Sequence, residues 1–294
     1  MSNDRRPLPP GPLVIDGGLS TQLERLGCDV SGELWTARLL ADDPATVTSA
    51  HRAFVDAGAD IIITSSYQVS RQGFVESGRE AADADNALLA SIDVARAATR
   101  GTSALIAASV GPYGAILHDG SEYRGRYGQS HHQLVDFHRE RLDVLMTGEP
   151  DLLAIETIPD VDEAVALVDV LADHPDIPAW MTFSASDDGH LWSGHSIEEA
   201  VAAVAGTVSG VGINCTDVRF IDGLLERMAV VTDLPLVVYP NAGGSWNAET
   251  GEWVGAVPPT WAQVKRWREL GAQYIGGCCG MDADAIRQLA ASTR

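Results

Sequence analysis

Three of the four cysteines in this chain, Cys215, Cys278 and Cys279, stand where short apolar runs turn polar or glycine-rich. Thiolates are soft ligands and good nucleophiles, so clustered cysteines point first to metal binding or catalysis. A disulfide scaffold belongs to small, cysteine-dense secreted chains, and four cysteines in 294 residues do not make one. Cys278 and Cys279 are also adjacent, and disulfide geometry is hard to reach across one peptide bond. If the runs ending at Cys215 and Cys279 lie close together, three thiolates converge, and zinc is their natural occupant. Three protein ligands leave a fourth tetrahedral position for water or substrate, which marks a catalytic rather than a structural zinc. Gly276, Gly277 and Gly280 are predicted to let the backbone bend so that two consecutive cysteines face one ion. The competing reading is three inert buried thiols, since cysteine often behaves as a small hydrophobe. Cys28, beside a helical stretch ending at Gly27, reads as structural.

Other residues able to do chemistry sit at the ends of similar runs: Asp16-Gly17-Gly18, Tyr67, Glu156-Thr157, Asn214 and Tyr239-Pro240-Asn241. The histidines look less promising. His131, His132 and His138 read as solvated on a polar helix face. His190 and His195, in DDGHLWSGHS, read as turn chemistry rather than a second metal pair. Neither a GxSxG elbow nor an HExxH motif is present, so a hydrolase lacks its usual signals.

The elements that must position these residues repeat along the chain. Eight β-rich runs occur at 13–18, 61–67, 104–111, 152–158, 179–185, 211–215, 236–241 and 274–279. Most are nearly continuously apolar at their N-terminal ends, as parallel strands covered by helices should be. Amphipathic patterns over 44–57, 81–99, 130–146, 161–172, 197–205, 220–231, 260–270 and 282–291 predict helices between them. Pro44 suits a helix start, Gly58 a stop and Asp282 an N-cap. Eight strand-then-helix units predict a single-domain α/β fold, the (β/α)₈ TIM barrel, over residues 13–294 behind a disordered or extended lead at 1–12. A doubly wound sheet would normally show GxGxxG after its first strand, and IDGGLSTQLE supplies none. In a barrel, active sites form at the C-terminal ends of the strands, which is where the residues above fall.

Composition narrows the partners. The formal net charge is −21, from 41 acidic against 20 basic residues, so phosphate backbones and anionic lipid are repelled. No nucleic acid and no membrane partner is expected, and no stretch approaches the apolar length of a spanning helix. The opening MSNDRRPLPPGP has no apolar run behind it, so no secretory leader is expected and the cytoplasm is the default compartment. Oligomeric state is not legible.

The motifs DGGLSTQLE (Asp16–Glu24), LWTARLL (Leu34–Leu40), TSSYQ (Thr64–Gln68) and SVGPYGAILHDGSEYRGRYG (Ser109–Gly128) lead into ETIP (Glu156–Pro159), GINC (Gly212–Cys215), YPNAG (Tyr239–Gly243) and GGCCG (Gly276–Gly280). Together they resemble the homocysteine S-methyltransferase family from about residue 13 to 289. The resemblance implies a barrel in which Cys215, Cys278 and Cys279 hold a catalytic zinc, with homocysteine as acceptor. Two flanking segments depart from the family pattern: MDADAI follows GGCCG, and TDVRF follows GINC. A bare barrel is most similar to members using S-methylmethionine, with S-adenosylmethionine as a secondary sulfonium donor. On this reading Glu156, assisted by Asp16, meets the homocysteine ammonium, and the Gly17-Gly18 turn offers N–H groups to its carboxylate. Tyr67 faces the cationic donor, Asn241 orients substrate or its own loop, and residues 111–128 form a lid. Rival readings are another acceptor such as selenocysteine, or a zinc-holding or redox protein without turnover.

Overall fold

The computed structural model describes residues 5–30, 35–243, 245–247, 252–254 and 258–293. Residues 1–4 of the lead, Leu34 of LWTARLL and Arg294 lie outside them.

Ten strands are described: β1 Leu13–Val14, β2 Ile61–Ile63, β3 Leu105–Val110, β4 Leu152–Ile158, β5 Ala179–Phe183, β6 Gly210–Asp217, β7 Leu236–Asn241, β8 Ser245–Asn247, β9 Glu252–Val254 and β10 Ala272–Ile275. Eight of them form one parallel sheet in the order β1-β10-β7-β6-β5-β4-β3-β2, while β8 and β9 pair antiparallel in the β7–β10 connection. The sheet closes through an Ile15–Ile61 bridge and the hydrogen bonds Asp16 N to Ile61 O (3.0 Å) and Asp60 N to Val14 O (2.7 Å). The result is the (β/α)₈ barrel.

Strand side chains alternate between two cores, as the period of two requires. Ile61, Ala107, Leu152, Ala154 and Trp180 fill the barrel interior, and Ile62, Ala108, Leu153, Ile155 and Met181 pack outward under the helices. The eight predicted helices fall within about two residues of their spans, for example Pro44–Ala57, His131–Thr147 and Val161–Leu171, while Trp35–Asp42 and Arg71–Glu76 are helices that the amphipathic patterns did not give. Pro44 opens its helix behind an Asp43 cap, and Gly58 closes it at φ 103°. Asp282 caps the last helix, its Oδ1 accepting from Ala285 N at 2.9 Å.

Several strands are shorter than their apolar runs. Residues 16–18, 64–67 and 276–279 leave the ladder, because their polar and glycine-rich tails turn into the loops above the barrel. Cys278 and Cys279 therefore stand on a loop after β10 and not on the strand.

At the opposite end the N-terminal lead clasps the barrel. The Arg5 guanidinium donates to the carbonyls of Thr207 (2.6 Å), Ile177 (2.7 Å), His174 (2.8 Å) and Leu171. Leu8 is buried in the interior core, and the Tyr274 hydroxyl donates to the Pro9 carbonyl.

Candidate active site

The three thiols meet at the C-terminal rim. Their sulfurs all lie within 4.8 Å of one another, with Cys215 Sγ 3.8 Å and Cys278 Sγ 4.0 Å from Cys279 Sγ. All three are free thiols. Backbone hydrogen bonds fix the loop that carries two of them: Cys278 N donates to Pro240 O, and Ala242 N to Cys279 O, both at 2.9 Å. The surrounding glycines act in two ways. Gly280, at φ 79°, makes the turn. Gly276 and Gly277 instead permit close approach, since a Cβ would fall 2.7 Å from Ile15 Cβ or 2.5 Å from Met281 Cβ. Hydrogen bonding from Cys215 and Cys278 holds the Cys279 thiol well below the usual thiol range. Hydrogen bonding with Cys215 and Cys279, then burial, pushes Cys278 well above it.

Two non-glycine residues in the left-handed region mark where the barrel departs from regular pleating. Cys215 has φ 45° and Thr157 φ 62°, a strained value for a β-branched residue. Each sits at a register shift, between Asn214 and Asp217 on β6 and between Ile155 and Ile158 on β4. Regular pleating sends successive side chains to opposite faces; here both Glu156 and Thr157 line the same cavity. The buried Asn214 side chain links the two irregularities. Its Oδ1 accepts from Thr157 N at 2.7 Å, and its Nδ2 donates to Thr157 Oγ1 at 2.8 Å.

The cavity encloses about 190 Å³ and brings together Asp16, Gly17, Gly18, Tyr67 and Glu156 with all three cysteines. Glu156 accepts from the Ser109 hydroxyl, and burial pushes its carboxyl up to about 7. Burial likewise raises Asp16 well above the carboxylate range, while its Oδ2 accepts from Ile63 N at 3.0 Å. Gly18 N donates to Met281 O at 2.8 Å, so this N–H already has a partner. The same residue lets the cysteine loop approach, a Cβ there falling 2.5 Å from Cys278 O. Asn241 ends β7 outside the cavity lining, and its buried Oδ1 has no hydrogen-bond partner among the described residues.

The 111–128 segment packs over this site in two 3₁₀ turns, Tyr113–Ile116 and Ser121–Tyr123. Tyr123 OH is 3.0 Å from Cys215 Sγ. Glu163, fully buried, holds both ends of the segment: it accepts from Tyr113 N (2.5 Å) and Tyr127 OH (3.0 Å), and pairs with His138 Nε2 at 2.9 Å. Buried Arg141 donates to the carbonyls of Tyr67 (2.7 Å) and Gly111 (3.0 Å), fixing the loops after β2 and β3.

His138 corrects the sequence reading. His131 and His132 are exposed, but His138 is fully buried, one helical turn after Leu134 on the face that packs inward. Burial lowers its pKa, which favours the neutral ring beside Glu163. His190 pairs with Asp187, and His195 sits 3.0 Å from Ser193 Oγ. The only metal-capable group of three among the described residues is the cysteine trio. Cys28 packs against the outer core. Sequence reasoning missed Ser109, Glu122, Tyr123, Glu163 and Arg141 as parts of the site or its supports, while it placed Thr157, Asn214 and Tyr239 at strand ends without assigning them a role. The signal available for Glu122 and Tyr123 was their place in the long 111–128 loop.

A barrel with three converging thiols and buried carboxylates at its C-terminal rim defines a (β/α)₈-barrel enzyme with a thiol-rich centre. A profile of the homocysteine S-methyltransferase family matches residues 13–293. The chain is 38% identical to homocysteine S-methyltransferase YbgG of Bacillus subtilis (96% of this chain, 94% of that one) and 41% identical to homocysteine S-methyltransferase 2 of Zea mays (95% and 89%). It superposes on the metallated homocysteine methyltransferase MmuM of Escherichia coli with a TM-score of 0.86, at 36% identity and 95% coverage of both chains. The chain belongs to the homocysteine S-methyltransferase family.

Proposed function

We propose that the protein transfers a methyl group from a sulfonium donor, S-methylmethionine in preference to S-adenosylmethionine, to the thiol of homocysteine, yielding methionine. The observation that carries this reading is the convergence of three thiols within 4.8 Å beside the buried carboxylates Glu156 and Asp16.

The donor set fits zinc. Four-coordinate zinc with Zn–S bonds of about 2.3 Å requires ligand sulfurs about 3.8 Å apart, and the 3.8 and 4.0 Å separations from Cys279, with the third pair within 4.8 Å, are compatible with it. Cys215, Cys278 and Cys279 would hold the ion. When bound there, zinc supplies Lewis acidity that favours the thiolate form of the substrate at neutral pH.

The remaining work falls to the chain's own residues. Glu156, with Asp16 beside it, meets the homocysteine ammonium and aims its sulfur at the cysteines. Tyr67 presents an aromatic face to the donor cation. The 111–128 segment, pinned by Glu163, covers the site and excludes water. The substrate sulfur forms the new S–CH₃ bond as the donor's S–CH₃ bond breaks. The bonding pair leaves on a neutral thioether, so no general acid is needed. Alignment of the three reacting atoms is the main contribution, and such orientation is worth about 7–11 kcal/mol.

Family membership and the carboxylate-lined cavity disfavour a zinc-holding protein without turnover. Among the described residues no helix is long and apolar enough to cross a membrane. The free thiols suit a reducing compartment such as the cytoplasm.

The test is methionine formation from homocysteine by reduced, zinc-loaded protein with S-methylmethionine, S-adenosylmethionine and betaine in parallel. Turnover with S-methylmethionine, abolished by a chelator and restored by zinc, is the expected result. Absence of turnover with every donor in protein shown to hold zinc would overturn the reading.

A further inference from the structure

The rim cavity holds more carboxyl groups than one amino-acid acceptor needs. Besides Asp16 and Glu156 it is lined by a third carboxylate, Glu122, and no lysine, arginine or histidine lines it among the described residues. Glu122 is only 7% exposed, and its Oε2 is buried without a hydrogen-bond partner among the described residues. The next residue, Tyr123, has its hydroxyl 3.0 Å from Cys215 Sγ, so this stretch of the loop stands on the thiol side of the cavity. Arg124, two residues on, offsets its charge only weakly, less than Cys215 and Asp119 oppose it. The Arg124 side chain is 62% exposed and turned outward to Asp119 Oδ2 (3.1 Å) and Ser121 Oγ. A buried carboxylate left without a partner is costly, and the cost is removed when a bound cation completes it.

We infer that Glu122 is the counter-ion for the cationic methyl donor, a specificity-determining residue that favours sulfonium compounds over their neutral thioethers. This rests on the methyl-transfer reading above. Asp16 and Glu156 serve the acceptor's ammonium, and Glu122, with the Tyr67 ring, serves the donor's positive sulfur. Once the methyl group has left, the donor is a neutral thioether and the attraction to Glu122 disappears, so the spent donor departs. Because the sulfonium charge is greatest before transfer, the contact is made mainly in the ground state. Its loss therefore falls on the donor KM more than on kcat.

The experiment uses zinc-loaded wild type, Glu122→Gln and Glu122→Asp, after melting temperature and zinc content have shown that each is folded and loaded. Calorimetry without homocysteine compares the affinities of S-methylmethionine and methionine, and steady-state kinetics separates the two KM values. The wild type should bind S-methylmethionine more tightly than methionine. Glu122→Gln should shrink that preference by roughly tenfold and raise the donor KM while leaving the homocysteine KM unchanged, with partial recovery in Glu122→Asp. An unchanged preference in Glu122→Gln, or a parallel rise in both KM values, would overturn the inference. If the wild type turns over S-methylmethionine but Glu122→Gln behaves like it, only this assignment falls. If the wild type turns over no sulfonium donor, the reaction itself is misread and the inference falls with it.

Discussion

A carboxylate that holds a substrate ammonium must be ionised when the substrate is bound, and burial pushes Glu156 up to about 7. Amino-acid binding should therefore tighten as pH rises from 6 to 8. L-norleucine, which keeps the ammonium and carboxylate but lacks the thiol, isolates this effect in calorimetry. Glu156→Gln should weaken norleucine binding by roughly tenfold and flatten its pH dependence; tight, pH-dependent binding by that variant would remove Glu156 from the acceptor site. The same group affects folding. Between the ordinary glutamate value and about 7 the folded state holds a proton that the unfolded chain has lost, so stability falls as pH rises through that window. The contribution is about 3 kcal/mol at most. At the thiols, Cys279→Ala should cut zinc retention and turnover by roughly a hundredfold or more, read by elemental analysis and methionine formation on the same sample.

At the scale of elements, the informative group is the one tying the 111–128 segment to the helix Val161–Leu171. Glu163 accepts from Tyr113 N at one end of the segment and Tyr127 OH at the other. Glu163→Gln converts acceptor capacity into an N–H donor facing other donors, and should cost about 1–3 kcal/mol of stability. Its diagnostic effect is local: cleavage within 111–128 under limited proteolysis should speed up more than global unfolding does. Equal protection in variant and wild type would show that other contacts hold the cover. Asn214→Ala tests the second device. Without its hydrogen bonds, Thr157 loses the support for φ 62°. We expect loss of homocysteine affinity with little change in zinc content, since Asn214 contacts the Glu156 side of the rim.

For the whole molecule, the two ends of the barrel divide their tasks. Chemistry gathers at the C-terminal rim, while Arg5 and Leu8 close the other end on carbonyls of segments near the starts of β5 and β6. Deleting residues 1–8 should lower the melting midpoint by roughly 5–10 °C, yet leave kcat at 25 °C near wild type. A fall in kcat with an unchanged midpoint would contradict that division.

Periodicity and residue type alone determined the repeating strand and helix units, the helix ends at Pro44, Gly58 and Asp282, and the placement of Cys215 and Glu156 near the C-terminal ends of their strands, with Cys278 and Cys279 falling on the loop just beyond theirs. These features are local: apolar spacing, capping chemistry and the polar turn at the end of each run are written within a few residues of one another. Only the tertiary structure decided which polar side chains enter the barrel rim and which support it. His138 has the residue type of a surface position, yet Glu163 from another helix supplies the partner that permits its burial. Asn214 and Thr157 are placed at strand ends by the sequence, but their roles arise only where two strand irregularities meet, 57 residues apart. Glu122 reads as an ordinary loop acid until folding removes its water and leaves its Oε2 without a partner among the described residues. In each case a residue far along the chain sets the environment, and the contact that stabilises or withholds a charge exists only once the barrel has closed.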